Sequence, residues 1–164
     1  MAHQELSSPE VDVEYYPPPP GAPEQEFVDW ANGLPIMQDL NLVCTSLSAG
    51  HGSFTVDEGP LSRNPNGAVH GGLVSAIADQ CLGVVSTVNA PHDRMSVTGS
   101  LHGQFHRPAM PPLAIHARCI NAGRRLIFVE CEIDDARGNR CGTFQATMVV
   151  GGHESARHPA DRVS

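Results

Sequence analysis

The sequence predicts an α+β domain in which an antiparallel sheet of five to six strands wraps around one long central helix. Three observations predict it. Residues 71–88 are apolar on nearly every face, so a helix there must be enclosed on several sides. Two strand-like segments precede that helix and four follow it, unlike the strict alternation that builds a parallel doubly wound sheet. The last strands alternate apolar and polar residues and are joined by a short turn, as antiparallel neighbours are. With 164 residues, 40% of them apolar, the chain suffices for one such domain and not for two.

Each element has its own local signal. Residues 1–22 are polar and acidic and carry the run Pro17 to Pro20, which can join neither a helix nor a central strand. They are expected to form a disordered tail. Pro23 at a first helical position, Glu24 and Glu26 in the first turn, then Phe27, Trp30 and the stop Gly33, mark a short amphipathic helix. Residues 41–47 and 52–57 flank the turn Ser48-Ala49-Gly50-His51 and predict a hairpin. The apolar helix follows. Behind it come candidate strands over 95–106, 112–121, 125–134 and 140–150. In the last two, Ile127, Val129, Cys131 and Ile133 share one face, and Phe144, Ala146, Met148 and Val150 share another. Residues 151–164 open with two glycines and read as a second disordered tail. The folded unit is therefore expected over 23–150.

Charge is distributed unevenly. Residues 1–59 carry ten carboxylates and no Lys or Arg, whereas residues 60–150 carry eight Arg against six acids, so the formal charge of −8 belongs to the front of the chain. No basic cluster of the kind a nucleic-acid duplex needs is visible, although a small anionic ligand fits the Arg-bearing segment. All ten cations are Arg, which excludes Schiff-base chemistry and a phosphate-loop lysine. The five cysteines Cys44, Cys81, Cys119, Cys131 and Cys141 lie in apolar surroundings without metal-site spacing, and read as buried free thiols in a reducing cytoplasm. No secretory signal pattern and no long uncharged apolar run occur, so a cytoplasmic protein without membrane partners is expected.

One stretch concentrates the chemistry: Asn64, then His70-Gly71-Gly72, then Asp79. Asp79 is the only charged side chain of the apolar helix. Burying an unpaired carboxylate costs several kcal/mol, so it has either a structural partner or a task as base or nucleophile. Gly71-Gly72 stands at the helix start, where unpaired backbone N–H groups can polarise a carbonyl oxygen. Eight residues at about 1.5 Å rise separate Gly71 from Asp79 by roughly 12 Å, too far to act on one carbonyl. Both can be used only if the Gly71 N–H of one subunit faces Asp79 of another across a two-fold interface. The partner helix's positive end would then favour the ionised carboxylate.

These residues, together with Gln104-Phe105-His106-Arg107-Pro108-Ala109, resemble the hotdog-fold acyl-CoA thioesterases, and among them the phenylacetate-pathway (PaaI-like) subfamily with its Asn…His-Gly-Gly…Asp pattern. The resemblance spans about residues 34–150. It implies that Asp79 is the catalytic carboxylate, that the Gly71 N–H holds the thioester oxygen, and that Asn64 helps orient water or substrate. His70 falls on a supporting position beside that glycine. A hydroxyl on the strand after the helix would assist the carboxylate; counting back from Pro108 places it at Thr98, with Ser96 as the alternative. The chain departs from the family at Met110-Pro111-Pro112, where a Gly-Asp-like turn is usual.

For the coenzyme A phosphates, Arg107, Arg124 and Arg125, with Arg63 as a further candidate, lie in expected loops or strand ends, and Gly72 adds a second helix-start N–H. His102 and His106 share a strand face, but no third metal ligand stands at a useful spacing. No Gly-x-Ser-x-Gly elbow occurs. The expectation is thus a thioester hydrolase without metal or organic cofactor, working as a homodimer and as a dimer of dimers. Two alternatives share the fold: an acyl-CoA dehydratase or hydratase using His70, and an acyl-CoA-binding protein that performs no chemistry.

Overall fold

The computed structural model describes residues 16–151 apart from residues 60, 62 and 93. In chain order it contains α1 (Glu24–Gly33), α2 (Pro35–Asp39), β1 (Leu42–Ser48), β2 (His51–Val56), α3 (Gly71–Asn89), β3 (Ser96–Phe105), β4 (Leu113–Ala122), β5 (Leu126–Asp134) and β6 (Arg140–Val150). The six strands form one sheet in the order β1-β2-β4-β5-β6-β3, and every neighbouring pair is antiparallel. The sheet wraps α3, as the apolar character of 71–88 requires. This is the α+β hotdog architecture, and the expected elements fall within two residues of the observed ones. The five-residue α2 was not foreseen, because a helix of barely more than one turn has no periodicity to read.

Burial follows the pleat. Val74, Ile77, Ala78, Cys81, Leu82 and Val85 of α3 pack into a core with Phe54, Leu113, Ile115, Ile127, Ile133, Phe144 and Met148 of the sheet. Each Val, Leu, Ile, Phe or Met side chain among them contributes roughly 1.5–3 kcal/mol on removal from water. With 19 residues and a mean hydropathy of 1.4, α3 is long and apolar enough to cross a membrane, yet half of that stretch is buried within the domain, as befits a core helix. All five cysteines are free, and only Cys119 is less than fully buried.

The two sheet edges are finished differently. At β1, the Asn32 side chain on α1 takes the place of a neighbouring strand: its Nδ2 donates to the Cys44 carbonyl over 3.0 Å and its Oδ1 accepts from the Cys44 N–H over 2.8 Å. Glu24 accepts from the Leu47 N–H two turns away. At the other edge, no described residue covers β3. Most of its residues are exposed, including Val97 at 59% and Phe105 at 55%, and they do not alternate as those of β5 and β6 do.

The segment 17–22, expected as part of the tail, packs against the C-terminal end of α3. Pro17 is buried, and the segment borders a cavity of about 260 Å³ with Phe27, Leu47 and Val88. Apolar proline rings gain from covering an apolar helix end even where they form no regular structure. The remaining tail residues, 1–15 and 152–164, lie outside the described residues.

Candidate active site

The site grows from the start of α3. His70 is the N-cap, and its ring Nδ1 accepts from the Gly72 N–H over 3.0 Å. The Leu73 and Val74 N–H groups both donate to the His70 carbonyl. The Val74 bond is the first of the regular helix ladder; of the N–H groups that the helix start leaves without a ladder partner, those of Gly72 and Leu73 are engaged by His70, and among the described residues nothing accepts from Gly71. Gly71 therefore presents an N–H donor with no acceptor among the described residues at the positive end of a 19-residue helix, a place suited to a developing oxyanion. Gly72, expected as a substrate contact, has its N–H committed to the His70 ring.

Phe105 at the end of β3 adds a wall that sequence reasoning missed. A Cβ placed on Gly71 would lie 3.6 Å from the Phe105 ring. The ring is fixed by an edge-on contact with Phe144, centroids 5.5 Å apart at 88°. Two glycines make this possible: Phe105 stands opposite Gly142, and Phe144 stands opposite Gly103. A Cβ on Gly103 would come 2.2 Å from the Phe144 ring. The crossed Phe/Gly pattern was present in the sequence, but it acquires meaning only when β3 and β6 are known to be neighbours.

Asn64 organises the loop that leads into the helix. Its Oδ1 accepts from the Asn66 and Ala68 N–H groups, its own N–H donates to the Ala68 carbonyl, and its carbonyl accepts from Gly67. Gly67 adopts φ +78°, which suits glycine in this tight turn. The Val69 N–H donates to the Ala109 carbonyl, tying the loop to the segment after β3 that bears Arg107. Arg63 donates to the Gly67 carbonyl, so that guanidinium partly serves the turn.

Asp79 lies two turns along α3, half-buried, on a stripe with Gly72, Ala76 and Gly83 that the sheet leaves partly uncovered. Its Oδ1 accepts from the Thr98 hydroxyl over 2.8 Å. Ser96, the other candidate hydroxyl, instead bonds to Ser86 and Thr87, pinning the first residue of β3 to α3. A carboxylate so held is oriented by one donor while its second oxygen remains available for a proton.

The structure keeps the two halves of the expected site apart. Gly71, His70, Asn64 and Arg107 lie at the Phe105 end of β3. Asp79 and Thr98 lie towards its opposite end, where the Val150 N–H donates to the Arg125 carbonyl and β6 pairs with the beginning of β3. Arg124 and Arg125, in the turn between β4 and β5, therefore accompany the Asp79 half, and both are exposed, as is Arg107. His102 faces the outer side of the sheet, and the His106 ring bonds to the Thr143 hydroxyl over 2.9 Å. Among the described residues no group of three or more His, Cys, Asp or Glu could hold a metal ion.

Comparison with known proteins agrees with this architecture. A family model described as the thioesterase superfamily matches residues 66–142, which include the helix start, Asp79 and Thr98. The fold resembles that of smu.793 from Streptococcus mutans UA159, solved bound to acetyl CoA, at 25% identity and TM-score 0.63 over 68% of this chain and 90% of that one. It resembles thioesterase HI1161 from Haemophilus influenzae at 15% identity and TM-score 0.73, covering 88% and 99% of the two chains. The PaaI protein of the phenylacetic acid degradation operon of E. coli has the same fold at 18% identity and TM-score 0.64, covering 71% and 84%. No curated protein matches the sequence. The matched segment spans the central helix and the strands that follow it, and the hotdog fold is shared across most of the chain's length, so the chain is similar to the thioesterase superfamily over residues 66–142 and to these proteins in fold.

Proposed function

We propose that the chain hydrolyses an acyl-CoA, or a related acyl thioester, to the free acid and thiol, in a site shared by two subunits. The carrying observation is the separation of an uncommitted N–H donor at Gly71 from an oriented carboxylate at Asp79, roughly 12 Å apart along one helix. Within one chain they cannot serve the same carbonyl. Across a two-fold interface, the Gly71 N–H of one subunit polarises the thioester carbonyl, and Asp79 of the other takes a proton from water or attacks the carbonyl carbon itself. Thr98 holds the carboxylate, His70 fixes the helix end, and Asn64 shapes the approach to it.

The acetyl CoA bound by the Streptococcus mutans protein supports a coenzyme A ester as substrate. In a two-fold pair, Arg107 from one subunit and Arg124 and Arg125 from the other border the same crevice, a placement suited to phosphates. The chemistry needs no metal or organic cofactor, and the reading places the enzyme in the cytoplasm. Exposed apolar residues Ile120, Leu126, Phe128 and Val149 on the outer face of the sheet support the pairing of two dimers into a tetramer.

The test is a panel of aryl, short and long acyl-CoA esters, followed with a thiol-reactive dye and by chromatography of the products. Release of free coenzyme A supports the hydrolase. A 3-hydroxyacyl or enoyl product would establish a hydratase or dehydratase instead, and tight binding without turnover would establish a carrier.

A further inference from the structure

We propose that the cavity bordered by the proline segment 17–22 receives the far end of the substrate's acyl chain, so that this protein takes linear acyl groups of about ten to fourteen carbons. The proposal rests on the hydrolase reading above and names the substrate class of that site.

The border of the cavity is built into the sequence. The Ala22 N–H donates to the Pro19 carbonyl over 3.0 Å, and Gly21 between them adopts φ +90°. Proline second and glycine third is the pattern of a type II turn, and Pro20-Gly21 supplies both residues. Pro17 and Pro18, ahead of that turn, line the cavity together with Phe27, Leu47, Val88 and Ala90. Polar groups close by are engaged elsewhere. The Thr87 hydroxyl bonds to Ser96, the Ala90 N–H donates to the Thr87 carbonyl, and Glu24 accepts from the Leu47 N–H. Ser48 and the exposed His92 supply a polar border. An apolar cavity of roughly 150 Å³ stays dry and holds a benzene. This one, at about 260 Å³, has room for several carbons of a chain end.

The central helix leads from the reacting carbon to this cavity. Asp79, Gly83 and Thr87 follow one another at intervals of four residues along one side of α3. Thr87 therefore lies roughly 12 Å beyond Asp79. Between them, a Cβ placed on Gly83 would meet nothing within 4 Å among the described residues. Glycine is a poor helix former, so its place midway along this side fits a groove kept clear of side chains. On one flank Ser86 and Thr87 hold Ser96 at the start of β3, and on the other Gln80 reaches Met37 of α2. Carbon–carbon bonds of about 1.5 Å advance an extended chain by about 1.3 Å per carbon, so about nine carbons cross the groove from a carbonyl beside Asp79. Carbons beyond the ninth enter the cavity, and shorter chains stop in the groove.

Non-hydrolysable thioethers of coenzyme A test binding apart from turnover. By titration calorimetry, S-dodecyl-CoA is expected to bind the wild type about 10²-fold more tightly than S-octyl-CoA, since each methylene withdrawn from water contributes roughly four-fold. Ala90→Phe, which fills the cavity, is expected to abolish that difference while leaving S-octyl-CoA binding and butyryl-CoA turnover unchanged. Gly83→Leu, which blocks the groove, is expected to weaken both thioethers and spare butyryl-CoA turnover. The wild-type comparison decides the matter if either variant fails to fold. Equal affinity of the wild type for the two thioethers would overturn the proposal, as would a dodecyl preference that survives in both folded variants. Tight binding of S-dodecyl-CoA with no coenzyme A released from any ester would leave the cavity standing and remove the hydrolase reading. Hydrolysis of octanoyl-CoA and dodecanoyl-CoA with equal kcat/KM, together with equal thioether affinities, would remove the cavity alone.

Discussion

The Thr98 hydroxyl donates to Asp79 Oδ1 over 2.8 Å, joining the uncovered edge strand to the only charged residue of the central helix. The bond exists because a bulge in β3 turns Thr98 back to the helix side after the strand has been out of step with β6 by one residue. It fixes one carboxylate oxygen, and among the described residues no hydrogen bond engages the other. A hydrogen bond to a carboxylate is stronger than one between neutral groups, so it holds the Asp79 side chain firmly in this orientation.

Asp79→Asn should reduce thiol release by about 10²–10⁴-fold, the range a positioned proton acceptor supplies, while leaving the oligomer unchanged. Turnover with a thiol-reactive dye and elution volume on gel filtration check the two halves of this expectation. Retained turnover would remove Asp79 from its role.

Thr98→Val should lower kcat by about ten-fold with little change in KM, since the side chain orients Asp79 and holds no part of the substrate. Thr98→Ser keeps the donor and should restore most of the rate. A rise in KM at constant kcat would show that Thr98 contacts substrate instead.

His70→Ala should destabilise the fold by roughly 1 kcal/mol, the usual effect of losing an N-cap acceptor. His70→Asn, whose side-chain oxygen can accept from the same N–H, should recover that stability in thermal melts. If the cap also keeps the Gly71 donor in place, kcat should follow stability across the two variants.

Burial pushes the Cys131 thiol up to about 12 and those of Cys44 and Cys141 up to about 11, and raises Cys81 and Cys119 as well. The unfolded chain loses these protons near pH 9, while the folded chain keeps them. Stability should therefore be unaffected by these groups below about pH 9 and fall as pH rises from there towards 11–12. For Cys131 the slope reaches up to about 1.4 kcal/mol per pH unit. Melting temperatures measured from pH 8 to 11 should show the decline, and Cys131→Ala should flatten it.

The sequence alone determined the elements and their kinds. An apolar run from Gly71 to Val88 reads as a helix enclosed on several sides, and alternation in β5 and β6 fixes which residues share a face, because periodicity is a local property of the backbone. Spacing along one helix likewise established that Gly71 and Asp79 cannot share a carbonyl. The tertiary structure decided what depends on neighbours distant in the chain. It chose Thr98 over Ser96 through the β3 bulge, and gave the His70 ring to Gly72. It set Phe105 over Gly71 through the opposed glycines Gly103 and Gly142, and among the described residues it left β3 open while Asn32 closed β1. None of these could be read from local pattern, since each arises from strand order and register, which bring together residues whose separation in sequence carries no periodic signal.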